Sequence, residues 1–77
     1  MRITLKQLEH ALALDQHGNF HRAAHAAHIS QPAFSRSIRN LELALGAPLF
    51  ERSGARVKAT AFGAVVLRRA ADIVGQT

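Results

Sequence analysis

Residues 23–36 read Ala23-Ala24-His25-Ala26-Ala27-His28-Ile29-Ser30-Gln31-Pro32-Ala33-Phe34-Ser35-Arg36, and they predict two helices joined by a very short turn. The alanines put no bulk between two helix axes, so a second helix can approach closely. His28-Ile29 forms the turn, and histidine belongs to the non-glycine types enriched at positive φ. Ser30 is a helix N-cap, and Pro32 falls in the first turn, where its missing N–H has no intrahelical partner to lose. Beyond it Phe34, Ile38, Leu41 and Leu45 form one buried stripe, until Gly46 and Pro48 stop the helix.

Upstream, Leu5, Leu8, Ala11 and Leu12, with Leu14 beside them, predict a helix from Thr4 to about His17 with one buried face. Thr4 caps it, Gly18 closes it in the left-handed conformation, and Asn19 caps a short helix over about Phe20 to Ala27. Downstream, Leu49-Phe50-Glu51-Arg52 and Arg56-Val57-Lys58-Ala59 flank Ser53-Gly54-Ala55, whose glycine can supply a hairpin turn. Thr60 then caps a last helix carrying a second apolar stripe, Phe62, Val66, Ala70, Ile73 and Val74, with Arg68 and Arg69 on its solvated side. The order is mainly α: a three-helix core, a short β-hairpin and a C-terminal linker helix, the plan of a winged helix-turn-helix. Residues 1–59 are read as the winged domain and 60–77 as the linker helix, which either packs on the first helix or meets a second subunit.

At 77 residues the chain is one small domain. Such a domain hides only about 60% of its unfolded surface, so its stability margin is thin and oligomerisation is expected. Cysteine is absent, which excludes disulfides and thiolate metal sites. The N-terminus lacks the apolar run of a signal peptide, and no stretch approaches the roughly 18 apolar residues of a membrane span, so the chain is expected in the cytoplasm. Ten Lys and Arg against five Asp and Glu give a net charge of +5, which points to a polyanionic partner. Charge alone does not separate DNA from RNA or anionic lipid. Phe20, Phe34, Phe50 and Phe62 all fall at expected core positions, leaving no aromatic platform for single-stranded bases.

Opposite the buried stripe, the helix that opens at Ser30 presents Gln31, Ser35, Arg36 and Arg39. Entering a major groove N-terminus first, it would set these against base edges, where Gln pairs with adenine and Arg with guanine. The N–H groups freed at Ser30 and Gln31 suit a phosphate. Any solvated helix face carries such residues. The tight turn, the proline in the first turn and the hairpin that follows are what separate the two readings.

From about Leu5 to Gly63 the sequence resembles the N-terminal DNA-binding domain of the LysR-type transcriptional regulators. The resemblance rests on Gly18, Phe20, Ala23-Ala24, Ser30-Gln31-Pro32-Ala33, Ser35-Arg36, Ile38 and Leu41-Glu42. It continues through Leu45-Gly46, Pro48-Leu49-Phe50, Arg52, Thr60 and Gly63. It implies a dimeric, effector-responsive regulator on an interrupted inverted repeat of double-stranded DNA, dimerising through the linker helix (Phe62, Val66, Ala70, Ile73 and Val74). By position it implies base reading by Gln31, Pro32, Ala33, Ser35 and Arg36, and phosphate contacts from Ser30, Arg52 and Thr60. Arg39, on the same helix face, is added to the phosphate group. The resemblance also sends the wing residues Ser53, Gly54 and Arg56 into the neighbouring minor groove, where Arg56 would favour a narrow A·T-rich flank. Family members continue into an effector domain, so the chain is expected to be the N-terminal region of a longer regulator.

Ala11, Ala27 and Ala59 stand where the family has larger side chains, so Leu14, Phe34 or Phe62 is expected to fill the space. His21 stands where Ser or Thr is usual, and Ala55 replaces an often basic wing residue. His21 and His25 share a helix face at a spacing that can hold zinc or nickel, but Gly18-Asn19 separates His17 from them and no nearby carboxylate completes the set. No metal or other cofactor is expected, and these imidazoles, when protonated, add attraction for phosphate. Glu9, Asp15, Glu42, Glu51 and Asp72 are too scattered for an acid/base pair, so no catalysis is expected. Glu42 either pairs with Arg39 or holds its helix against the wing. The competing reading is a helical protein-interaction module whose basic face and last apolar stripe bind an acidic partner.

Overall fold

The computed structural model describes residues 2–75, and contains α1 (Leu5–His17), α2 (Phe20–Ala26), α3 (Gln31–Leu45), β1 (Phe50–Ser53), β2 (Arg56–Ala59) and α4 (Ala61–Val74). Met1, Gln76 and Thr77 lie outside the described residues, so the expected linker helix is traced to Val74 with Gly75 as its cap. The architecture is the winged helix-turn-helix expected from the sequence. The central helix is α1, which touches α2, α3 and α4.

Each helix starts where a side chain satisfies an otherwise orphaned N–H. Thr4 and Gln7 form a reciprocal capping box at α1, Asn19 Oδ1 accepts from the Arg22 N–H at α2, and Ser30 Oγ accepts from the Ala33 N–H at α3. The turn between α2 and α3 follows from a Schellman closure: the Ile29 N–H donates to the Ala24 carbonyl and the His28 N–H to the His25 carbonyl. His28 takes φ +61° at the position glycine usually fills.

The core joins Leu8, Ala11 and Leu14 of α1, Ala23 and Ala24 of α2, and Phe34, Ile38 and Leu41 of α3, with Leu49, Val57, Leu67 and Ala70 closing it. Of the residues expected to compensate for the small alanines, Leu14 and Phe34 are fully buried. Burying a side chain of that size contributes about 1.5–3 kcal/mol. Phe34 meets the Phe20 ring edge-on at 6.1 Å.

Phe62 departs from expectation, being 39% exposed rather than in the core. The reason lies in how α4 docks. Gly63, Leu67 and Ala70 form its buried face, so Ala70 belongs to the domain's own core instead of a partner surface. Val66 and Val74 are half-buried against that core, while Phe62, Val65 and Ile73 point outward. The wing also differs in register. Leu49 is buried and precedes the strand, Ser53 pairs with Arg56, and the turn is Gly54-Ala55. Gly54 alone of the two has positive φ, as in type II′ hairpins.

A residue overlooked by periodicity, His10, is buried on α1 and faces α3. Its Nδ1 shares a 2.7 Å hydrogen bond with Ser37 Oγ, and its ring lies 5.2 Å from that of Phe34. Burial pushes the His10 imidazole below the usual histidine pKa of 6.5; the Lys6 ammonium adds to this and Glu9 opposes it. The unfolded chain therefore takes up this proton at a higher pH than the folded one. Stability is full above about pH 6.5 and falls as pH drops through that value, levelling off below the folded-state pKa. Urea unfolding between about pH 7.5 and 5 should show this slope, and His10→Gln, which keeps a hydrogen-bonding group beside Ser37, should flatten it. Equal slopes for the two proteins would remove His10 as the source.

Candidate nucleic-acid interface

The first turn of α3 begins with two solvent-exposed residues, Gln31 and Pro32. Ser30 is extended at φ −66° and ψ 154°, and its hydroxyl oxygen accepts from the Ala33 N–H, which leaves its own O–H free to donate. The Ser30 and Gln31 N–H groups have no intrahelical acceptor ahead of them and remain free to meet an anion. Gln31, Pro32, Arg36 and Arg39 are exposed, while Ala33 and Ser35 are half-buried on the same turn. Gln31, Pro32 and Arg36, three of the five residues expected to read bases, are therefore open to solvent at the start of α3.

The wing is fixed beside that face by contacts far apart in sequence. The Val57 N–H donates to the Gly18 carbonyl at 3.0 Å, and Asn19 Nδ2 donates to the Ala55 carbonyl at 3.4 Å. Asn19 thus caps α2 with its oxygen and ties down the wing turn with its nitrogen. Its two amide hydrogens, left over after capping, were the signal in the sequence for this second contact. Arg52 is exposed, yet its guanidinium lies 4.4 Å from the Phe20 ring centroid, a cation–π contact that orients it. Asn19, Phe20, His21, Gln31, Arg52 and Gly54 consequently line a single notch between α2, the start of α3 and the wing. Ser53, Gly54 and Arg56 are exposed at the wing's tip, and the Arg56 guanidinium passes beside Gly18.

Thr60 and Glu42 both make their hydrogen bonds inside the domain. Thr60 donates its hydroxyl proton to the Pro48 carbonyl at 2.9 Å and accepts from the Gly63 N–H, and its own N–H donates to the Leu49 carbonyl. With both donors engaged inside the domain, Thr60 has no proton to give a phosphate and instead braces the base of the wing. Glu42 takes the second of its two expected roles, holding its helix against the wing, and does not pair with Arg39. Its Oε2 accepts from the Leu49 N–H at 2.7 Å and the Phe50 N–H at 3.3 Å, clamping α3 to the wing. Hydrogen bonds to a charged acceptor of this kind contribute about 1.5–3 kcal/mol each.

Among the described residues the only ion pair is Lys6 with Glu9, at 3.4 Å on the surface. Arg36, Arg39, Arg52 and Arg56 therefore have no carboxylate partner among the described residues, which leaves a basic face around the first turn of α3. Among those residues no group of three His, Cys, Asp or Glu is placed to hold a metal ion, and no helix is long and apolar enough to cross a membrane.

Known proteins share this arrangement. Residues 5–64 match the family model described as bacterial regulatory helix-turn-helix protein, lysR family. A Pseudomonas SDS degradation transcriptional activation protein is 52% identical over 66 residues, covering 86% of this chain and 22% of the relative. The crystal structure of the CbnR DNA-binding domain with DNA superposes with a TM-score of 0.91 at 36% identity, covering 95% of this chain and 84% of that one. DarR of Vibrio fischeri, crystallised in complex with DNA, gives 0.93 at 37% identity, covering 97% and 26%. The chain spans about a fifth of the length of the curated relatives it matches. A match over residues 5–64 that takes in both helices of the motif and the whole wing shows that the chain belongs to the LysR family of bacterial regulatory helix-turn-helix proteins.

Proposed function

We propose that this domain binds double-stranded DNA sequence-specifically, with the first turn of α3 in the major groove and the wing tip at the adjacent minor groove. The observation that carries this reading is the convergence of Gln31 and Arg36 on one exposed helix face with Arg52 and the wing beside it. Gln31, Pro32, Ala33, Ser35 and Arg36 read bases; Ser30, Arg39 and Arg52 hold phosphates; Ser53, Gly54 and Arg56 meet the minor groove. The DNA complexes of CbnR and DarR support the assignment by likeness.

The domain acts as a dimer on an interrupted inverted repeat, with residues 1–59 as reading head and 60–77 as linker. The exposed Phe62, Val65 and Ile73 of α4 offer the apolar surface for a second copy. Such a protein works in the cytoplasm as a transcriptional regulator rather than an enzyme, and effector response lies in the part of its relatives that this chain does not match.

Duplex binding measured against salt tests this reading. Affinity should fall as salt rises, and Arg52→Ala should weaken cognate and scrambled duplexes alike while reducing the slope of log K against log salt by about one. An unchanged slope would take Arg52 off the phosphate contacts, and salt-independent binding would contradict the reading itself.

A further inference from the structure

Resting on the DNA-binding reading above, we infer that the notch between α2, α3 and the wing seats one backbone phosphate and that His21 takes up a proton as the phosphate arrives. DNA binding by this domain is thereby linked to pH. The notch has a volume of about 160 Å³ and is lined by two cationic or protonatable side chains, the Arg52 guanidinium held against Phe20 and the His21 imidazole. In helix-turn-helix proteins the first helix of the motif crosses the sugar–phosphate backbone, and α2 occupies that place here.

The surroundings of His21 favour an anionic visitor. On its own helix stand Arg22 and His25, and His17 reaches the same side from the end of α1 across a second depression. From β1 comes Arg52, and from α3 the neutral Gln31. No carboxylate lines either depression, so none competes with a phosphate for the imidazole. A phosphate brought beside an imidazole favours its charged form, and histidine is the side chain whose charge changes between about pH 5 and 8. Proton uptake on binding makes affinity rise as pH falls through that range. A serine or threonine in this position would donate the same hydrogen bond at every pH.

The test is anisotropy of a labelled duplex with the 77-residue chain at fixed salt, from about pH 8 to 6, with circular dichroism confirming the fold at each pH. Wild-type affinity should rise about three- to tenfold toward pH 6. His21→Gln should flatten this rise, and His21→Arg should bind as tightly at high pH as at low. A pH dependence that survives in His21→Gln, or wild-type binding that is strong but indifferent to pH, would overturn the proposal while leaving DNA binding intact. Failure of the wild type to bind any duplex at any pH would instead remove the reading beneath it.

Discussion

Gly63→Ala should destabilise the domain by about 2–4 kcal/mol, although alanine is the better helix former by about 1 kcal/mol. A Cβ on Gly63 would overlap the Leu49 carbonyl oxygen and lie 2.8 Å from the Leu49 carbonyl carbon and 3.1 Å from its Cα. The obstacle is backbone, so no rotamer change relieves it. Moving α4 away would stretch the bonds from Thr60 to Pro48 and Leu49 that brace the wing. For a domain whose total stability is about 4–12 kcal/mol, such a loss takes a large share. Urea unfolding checks the prediction, with Gly46→Ala as control. Nothing lies within 4 Å of a Cβ there, so only the positive φ of 84° is penalised, by about 1–2 kcal/mol. A Gly63→Ala protein as stable as the wild type would show that the backbone crowding is not there.

Arg36→Ala should cost about 1–3 kcal/mol on a cognate duplex and far less on a scrambled one, because a bidentate contact to guanine is lost only where the guanine is present. Arg36 is exposed and forms no ion pair among the described residues, so the substitution leaves the core untouched and the loss belongs to binding. Competition binding of both duplexes at one salt concentration separates the alternatives. Equal losses on the two would reassign Arg36 to phosphate.

Signals that act within a few residues were legible in the sequence. Ser30 and Pro32 fix the start of α3, Gly18 closes α1, and His28 marks the positive φ of the turn, because each is dictated by local backbone geometry. Long-range contacts were not legible. Gly63 stood in the family pattern without a reason until the Leu49 carbonyl was found against it. Phe20 read only as core, yet it also carries the Arg52 guanidinium, and Asn19 read only as a cap. The α4 stripe divides because the helix is apolar on two faces: Phe62, Val65 and Ile73 form the outward one, Gly63, Leu67 and Ala70 the buried one. Close approach at the glycine selects the second for the core. His10 went unnoticed although it sits beside Ala11 and one turn before Leu14, both fully buried, a placement that marks it as an inward-facing polar group.

The most direct measurement is selection of bound sequences from a random double-stranded DNA pool by this chain at a stated salt concentration. Two half-sites in inverted orientation about one helical turn, or a multiple of it, apart should be enriched, and Arg36→Ala should lose the preference. A pool that emerges without sequence enrichment would contradict the claim that the first turn of α3 reads bases.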